Sequence, residues 1–258
     1  MGWGWGDGTV RCVKADPAAQ LRLIDLQVLD AALARGAHRR RTLPELAAIT
    51  AAEAKLAELR TALVRAETEV GDLDRELRRM ENDVEQVRAR AARDQQRMQS
   101  GAVAAKELES LQHEVESLAK RQSDLEDLEL EAMERREDAG GRLDALRAES
   151  AGVTAEARSA AEARDKAYEE IDTAAARDTA DRTELAKDIP ADLLALYDRI
   201  RQSSGGVGAA VLWQRRCEGC RLEIQGSELR AIRAAAKDDV LRCENCRRVL
   251  VRTAESGL

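Results

Sequence analysis

Between Ile49 and Ala91 the apolar residues recur at alternating steps of three and four: Ile49, Ala52, Leu56, Leu59, Leu63, Ala66, Val70, Leu73, Leu77, Met80, Val84, Val87 and Ala91. A lone solvated helix has no reason to hold that register, so the run predicts a coiled-coil seam. The register fails between Asp94 and Val103, where Met98-Gln99-Ser100-Gly101 interrupts it. A second series begins at Leu108, Leu111, Val115 and Leu118, then slips near Gln122–Leu128, where Leu125 and Leu128 take over the stripe. It slips again near Gly140-Gly141, a candidate bend, and resumes as Leu143, Leu146, Ser150, Val153, Ala157, Ala160, Arg164, Ala167, Ile171 and Ala174, a weaker seam in which Ala, Ser and Arg stand where Leu would pack. Two halves of similar length about a glycine-containing break predict an antiparallel hairpin with its tip near residues 98–103. One uninterrupted helix, or two parallel chains, is the competing arrangement. Each ~80-residue arm would reach roughly 120 Å at 1.5 Å per residue.

Only three prolines occur, and each marks a boundary. Asp16-Pro17 is a helix start, with Asp capping open amides and Pro suited to the first helical position. Leu23, Leu26, Leu29 and Leu33 follow at helical spacing. Thr42-Leu43-Pro44-Glu45 predicts a kink or a fresh cap near residues 42–45. Asp188-Ile189-Pro190 ends the second arm and opens a short helix, Ala191 to Arg201, with Leu193, Tyr197 and Ile200 on one face. Gln202-Ser-Ser-Gly-Gly206 reads as a linker. Beyond it, Val207–Arg216 and Arg248–Val251 are β-rich, and Ser227 is placed to cap a brief Ala-rich helix ending at Ala236. The chain therefore divides into a flexible leader (1–14, with Cys12 a free thiol), a coiled-coil hairpin (15–189), a short helix and linker (190–204) and a C-terminal head (205–258).

Composition sharpens this picture. Of 258 residues, 35% are charged and 2% aromatic, Phe is absent, and 47 are Ala. So little bulky apolar surface argues against a large single-core enzyme domain and for long paired helices. The net charge of −7 excludes a generally basic, nucleic-acid-coating chain but leaves room for a local basic patch. No run approaches the ~20 apolar residues of a membrane span. The N-terminus lacks the order of a secretion signal, so the expected compartment is the cytoplasm.

Cys217-Glu-Gly-Cys220 and Cys243-Glu-Asn-Cys246 carry the chemistry. Each Cys-x-x-Cys folds into a knuckle that aims two sulfurs at one ion, and two knuckles complete a tetrahedral site suited to one structural Zn²⁺. Gly219 and Asn245 precede the second cysteine of each pair and are the types that best tolerate a left-handed backbone there. Iron also fits four thiolates, while a redox Cys-x-x-Cys belongs to a thioredoxin-like context absent here. Four thiolates close the metal's shell, and His38 and His113 lie far away in sequence, so catalysis at the metal is not expected. Nor does any nucleophile–base–orienter set or phosphate-cradling glycine loop stand out. No small-molecule substrate is expected.

From Gly205 to Leu258, ten Lys/Arg oppose seven acids, leaving +3 on the head. Arg215, Arg216, Arg221, Arg242, Arg247 and Arg248 are the candidate contacts to RNA or DNA, Arg combining charge with planar donors. Solubilisation, or balancing the anionic metal centre, would equally explain these arginines. Trp213, the head's one aromatic, reads as core, with stacking on a base as the alternative. The His38-Arg39-Arg40-Arg41 cluster reads as a solvated helix face, and Tyr168 and Tyr197 as packing residues.

The chain resembles the bacterial C4-type zinc ribbon family, whose members include flagellar regulators that chaperone a sigma factor and bind messenger RNA. The resemblance rests on the four-cysteine ribbon, on Pro190-Ala-Asp-Leu-Leu-Ala-Leu-Tyr-Asp-Arg-Ile-Arg201, and on Lys106-Glu-Leu-Glu-Ser-Leu-Gln-His-Glu114 just after the tip. Two positions depart from it: Arg247 stands where relatives often have Gly, and Val251 where they often have Tyr. The Ala- and Arg-rich usage points to a high-GC organism, so the flagellar role is not carried over. The expected molecule is mainly α, a long antiparallel coiled-coil hairpin with a small β-rich zinc ribbon at its C-terminal end. It is a non-enzymatic adaptor that contacts nucleic acid through the ribbon and a protein partner through the coiled coil. A purely protein-binding chaperone or scaffold is the alternative.

Overall fold

The computed structural model describes residues 13–101 and 103–258. Its elements are α1 (Pro17–Arg41), α2 (Pro44–Gln99), α3 (Ala105–Lys187), α4 (Ala191–Ser203), β1 (Ala209–Trp213), β2 (Arg216–Cys217), α5 (Gly226–Ala234), β3 (Leu241–Arg242) and β4 (Val249–Arg252). They divide into two compact units: Glu45–Glu162, and the described residues up to Pro44 together with Ala163–Leu258. Among the described residues no helix is long and apolar enough to cross a membrane.

The Glu45–Glu162 unit is an antiparallel hairpin. Lys55–Glu149, Glu69–Arg142, Glu76–Arg135, Arg88–Glu126 and Arg97–Glu107 pair across it in order, closing on Gly101, whose φ of +67° makes the turn. These pairs are exposed, so each contributes only tenths of a kcal/mol and serves mainly to hold register. Burial follows the seam. Every position of the series from Ile49 to Ala91 is buried or half-buried.

On α3 the structure corrects the expected slips. The helix is unbroken from Ala105 to Lys187, through Gly140-Gly141. Leu118, Leu125, Ala132, Ala139 and Leu143 are buried and Gln122 and Glu129 half-buried, while Leu128 is exposed. The three–four spacing therefore runs through the expected slip at Gln122–Leu128 with polar residues in some of its places. It lapses at Arg136, which is exposed between buried Ala132 and Ala139, and at its end Ala174 is exposed while Ala175 is half-buried. The glycine pair costs about 1 kcal/mol of helix propensity per residue, which buried neighbours on either side offset.

In the second unit, Asp16 caps α1 by accepting from the Ala18 amide at 2.8 Å, with Pro17 in the first turn. Thr42 ends the helix, its amide and hydroxyl both donating to the His38 carbonyl. The expected domain boundaries need correction here. Leu23 and Leu26 of α1 pack with Leu193, Tyr197 and Ile200 of α4 and with Ala209, Val249 and Val251 of the sheet, so α1 shares its core with the ribbon. The end of the supposed leader is also structured. Val13 accepts from the Val240 amide, and Lys14 bridges Asp239. Cys12 and the rest of that leader lie outside the described residues.

The sheet has the order β2-β1-β4-β3, with β1 parallel to β4 and the outer pairs antiparallel. Ser227 lies inside the first turn of α5 rather than capping it. α4 runs on to Ser203, which shortens the expected linker.

One feature escaped sequence reasoning. Asp30 of α1 is 3% exposed. It accepts from Arg182 Nε of α3 at 2.7 Å and from the Tyr197 hydroxyl of α4 at 2.7 Å, and it pairs with Arg201 of α4 at 3.2 Å. Arg182 reaches on to Asp198 at 2.7 Å. The Asp30 partnership holds the Arg182 guanidinium above its ordinary pKa, and burial together with the same carboxylate pushes the Tyr197 hydroxyl up. Asp30 thereby ties three helices at the base of the sheet.

Candidate metal centre

Both cysteine pairs sit at hairpin ends of the ribbon. Cys217 closes β2 and begins the first knuckle; Cys243 follows β3 and begins the second, which returns the chain into β4. The knuckles repeat one geometry. The Arg221 amide donates to the Cys217 carbonyl at 2.6 Å, and the Arg247 amide to the Cys243 carbonyl at 2.8 Å. Amides inside each turn point at the leading sulfur: Gly219 and Cys220 at Cys217, Asn245 and Cys246 at Cys243.

The left-handed residue is not where the sequence placed it. It follows the second cysteine, at Arg221 and Arg247, each with φ of +62°, whereas Gly219 and Asn245 keep ordinary backbone angles. Gly219 is needed for space instead. A Cβ there would lie 2.8 Å from Arg248 Cδ and 3.0 Å from Ala210 Cβ. The position of Arg247, where the resembling family often has Gly, thus coincides with a backbone that favours Gly.

All four sulfurs lie within 4.8 Å of one another, with Cys217–Cys246 at 3.8 Å and Cys220–Cys243 at 3.9 Å. Zinc–sulfur bonds of about 2.3 Å in a tetrahedron require sulfur–sulfur edges of about 3.8 Å. The donor set therefore fits Zn²⁺ in both chemistry and spacing. Cys217 and Cys243 are buried against Leu212, Ile224, Ile232 and Leu250, while Cys220 and Cys246 are half-buried. Burial pushes the Cys217 and Cys243 thiols up. Burial works upward on Cys246 too, but the Arg248 amide and guanidinium and the neighbouring thiols outweigh it, bringing Cys246 down to about 7.

The structure separates the six arginines singled out for nucleic acid. Arg215, Arg216, Arg221 and Arg247 are exposed; Arg242 and Arg248 are half-buried. Arg248 is a structural residue: its guanidinium donates to the carbonyls of Val207 (3.1 Å), Gly219 (3.3 Å) and Ser204 (2.9 Å), lacing α4's exit to the first knuckle. Arg242 donates to the Arg247 carbonyl at 3.0 Å. Burial, with the like charges of Arg247 and Arg199, pushes its pKa down, which places Arg199, missed in the sequence, in the same cationic neighbourhood. Arg252, counted only toward net charge, donates to the carbonyls of Ala235, Ala236, Lys237 and Asp239 beyond α5. Trp213 is corrected too. It is 40% exposed, paired in register with Arg216 across β1 and β2, and not a core residue. In the His38–Arg41 cluster, Arg40 pairs with Asp172 and covers the Tyr168 ring at 4.1 Å.

Comparison with known proteins agrees with this architecture. Residues 26–205 match the CT398-like coiled coil hairpin domain, and residues 216–250 match the C4-type zinc ribbon domain. The chain is 41% identical over 242 residues to a protein of Mycobacterium tuberculosis, covering 93% of this chain and 98% of that one. It is 30% identical over 214 residues to a protein of Mycobacterium leprae, covering 83% and 92%. A solved structure from Mycobacterium smegmatis superposes with a TM-score of 0.79 at 36% identity, covering 93% of this chain and all of that one. CT398 from Chlamydia trachomatis shares the fold, with a TM-score of 0.63 at 16% identity, covering 92% and 98%.

Proposed function

Because the chain belongs to the CT398-like coiled-coil hairpin family and carries a C4-type zinc ribbon, we propose that it is a non-enzymatic cytoplasmic adaptor whose ribbon grips single-stranded nucleic acid. The observation that carries this reading is the exposure of Trp213. A head so poor in bulky apolar residues leaves its one aromatic on the surface, opposite Arg216 and next to the turn bearing Arg215. Stacking on an aromatic ring combined with arginine contacts to phosphate is how single strands are held without sequence readout. Exposed Arg221 and Arg247, and the crowding of Arg199, Arg242 and Arg247, add to the positive field. The metal's part is structural. One Zn²⁺ held by Cys217, Cys220, Cys243 and Cys246 has no open coordination position for substrate.

The hairpin supplies the protein-docking half of the adaptor. Val64, Leu130 and Met133 are large apolar side chains at least half exposed on it. Docking through the ribbon instead of nucleic-acid binding is the rival reading.

Fluorescence anisotropy with labelled single-stranded RNA, single-stranded DNA and duplex DNA separates the two. Binding should weaken with salt, and Arg→Ala changes at Arg215, Arg216, Arg221 and Arg247 should remove up to about 3 units of the log–log slope on single strands. Trp213→Ala should cost about 1–3 kcal/mol. Absence of binding at low salt, or affinity indifferent to these changes, would reject the nucleic-acid reading and leave the protein-binding one.

A further inference from the structure

The two-residue loop between β1 and β2 carries an unusual burden. Gln214 has φ of +44° and Arg215 of +61°, so two consecutive non-glycine residues occupy the left-handed region. Tight hairpin loops of this handedness favour Asn-Gly because other side chains are strained there. Such strain persists only where surrounding structure over-determines it. Here the surrounding structure is the segment after β4. The Gln214 amide donates to the Glu255 carbonyl and the Arg215 amide to the Ser256 carbonyl, both at 2.8 Å.

Ser256 pins that segment. It is 1% exposed, while the other buried polar side chains among the described residues, Gln20 and Asp30, lie on α1. Its hydroxyl donates to the Leu212 carbonyl of β1 at 2.8 Å and accepts from the Thr253 amide at 2.8 Å. Gly257, with φ of +67°, completes the contact; a Cβ there would meet Gln214 Cα at 3.4 Å. One serine hydroxyl thus fastens the segment to β1, and the segment's carbonyls then hold both loop amides.

We propose that Thr253–Gly257 is a clasp, with Ser256 as its positioning residue, that fixes the strained β1–β2 loop and so presents Trp213, Arg215 and Arg216 together to a single strand. This deepens the ribbon's proposed role and rests on it. The clasp makes a loop conformation that its own sequence disfavours into a rigid platform, sparing the ordering cost that a mobile loop would pay on binding.

Two readouts on the full-length zinc-loaded chain test it: amide hydrogen exchange and anisotropy with a labelled single-stranded RNA. Ser256→Ala should accelerate exchange at Gln214 and Arg215 at least tenfold, leave Val249–Val251 unchanged, and weaken RNA binding several-fold. Gly257→Ala, which crowds the loop from the other side, should act in the same direction. Gln214→Asn added to Ser256→Ala should recover part of both losses, since Asn tolerates the left-handed backbone. Unchanged exchange at Gln214 and Arg215 in both single variants would overturn the clasp. Faster exchange with unchanged affinity would overturn its positioning role. If the wild-type chain binds no RNA, the nucleic-acid reading falls, while the exchange data still decide whether the clasp holds the loop.

Discussion

Replacing Asp30 by Ala removes the acceptor shared by Arg182, Arg201 and Tyr197. The magnitude follows from what is left behind. The Tyr197 hydroxyl is in a fully buried residue and loses its 2.7 Å partner, but Gln27 Oε1 at 3.2 Å remains as an acceptor, which holds the cost to about 1 kcal/mol. Arg182 and Arg201 also lose a carboxylate, but their side chains keep 21% and 31% exposure and Arg182 retains Asp198. Their stranding therefore adds only about another 1–2 kcal/mol, below the roughly 3–5 kcal/mol of breaking a fully buried ion pair. A total of about 2–3 kcal/mol corresponds to a fall in Tm of roughly 4–12 °C for a cooperative unit of this size. Near-ultraviolet circular dichroism is the suitable probe, because Tyr168 and Tyr197, the chain's two tyrosines, both belong to this unit. Asp30→Asn, which keeps an acceptor oxygen but no charge, should lose about half as much. Arg147→Ala, which removes an exposed pair with Glu67, should lose less than about 1 kcal/mol. An Asp30→Ala transition no lower than that of Arg147→Ala would refute the tie between the three helices.

Further outcomes follow from the ribbon. Arg247→Gly relieves a left-handed φ of +62°, and after the entropy that Gly adds to the unfolded chain the net gain should be at most about 1 kcal/mol, read as slower zinc loss to a competing chelator. Gly219→Ala drives a methyl to within 3.0 Å of Arg248 and Ala210, so overpacking should cost about 1–3 kcal/mol and speed zinc loss in the same assay. Zinc affinity should also fall with acidification. Burial holds Cys217 and Cys243 protonated in the metal-free chain at neutral pH, so binding must release at least two protons. Competition titrations should therefore show a weakening of at least about a hundredfold per pH unit, and a slope near zero would contradict that protonation state.

What the sequence made legible was what repeats. The α2 seam was readable because Leu, Val and Ala fill its places almost without exception. The α3 seam was misread because Gln122 and Glu129 stand in it, and a polar residue breaks the pattern without breaking the helix. The cysteine pairs were legible because thiolate chemistry leaves few readings of two Cys-x-x-Cys motifs. The backbone of the knuckles was not, since Arg221 and Arg247 take the left-handed angle while the permissive Gly219 and Asn245 do not. Buried polar residues were the real blind spot. Asp30, Ser256 and the half-buried Arg248 look, as letters, like any solvated residue, and only partners brought from distant parts of the chain reveal their roles. Trp213 failed for the opposite reason: size suggested core, but Leu212, Ile224, Ile232 and Leu250 already fill the space around the sulfurs.

Metal content bears on all of this most directly. Elemental analysis of the intact chain purified without chelator should find one equivalent of zinc, absent from Cys243→Ser, with removal of the ion collapsing the amide protection of β4. A chain that carries no zinc, or that keeps both the metal and the ribbon's protection when Cys243 is replaced, would contradict a ribbon clasped by four sulfurs.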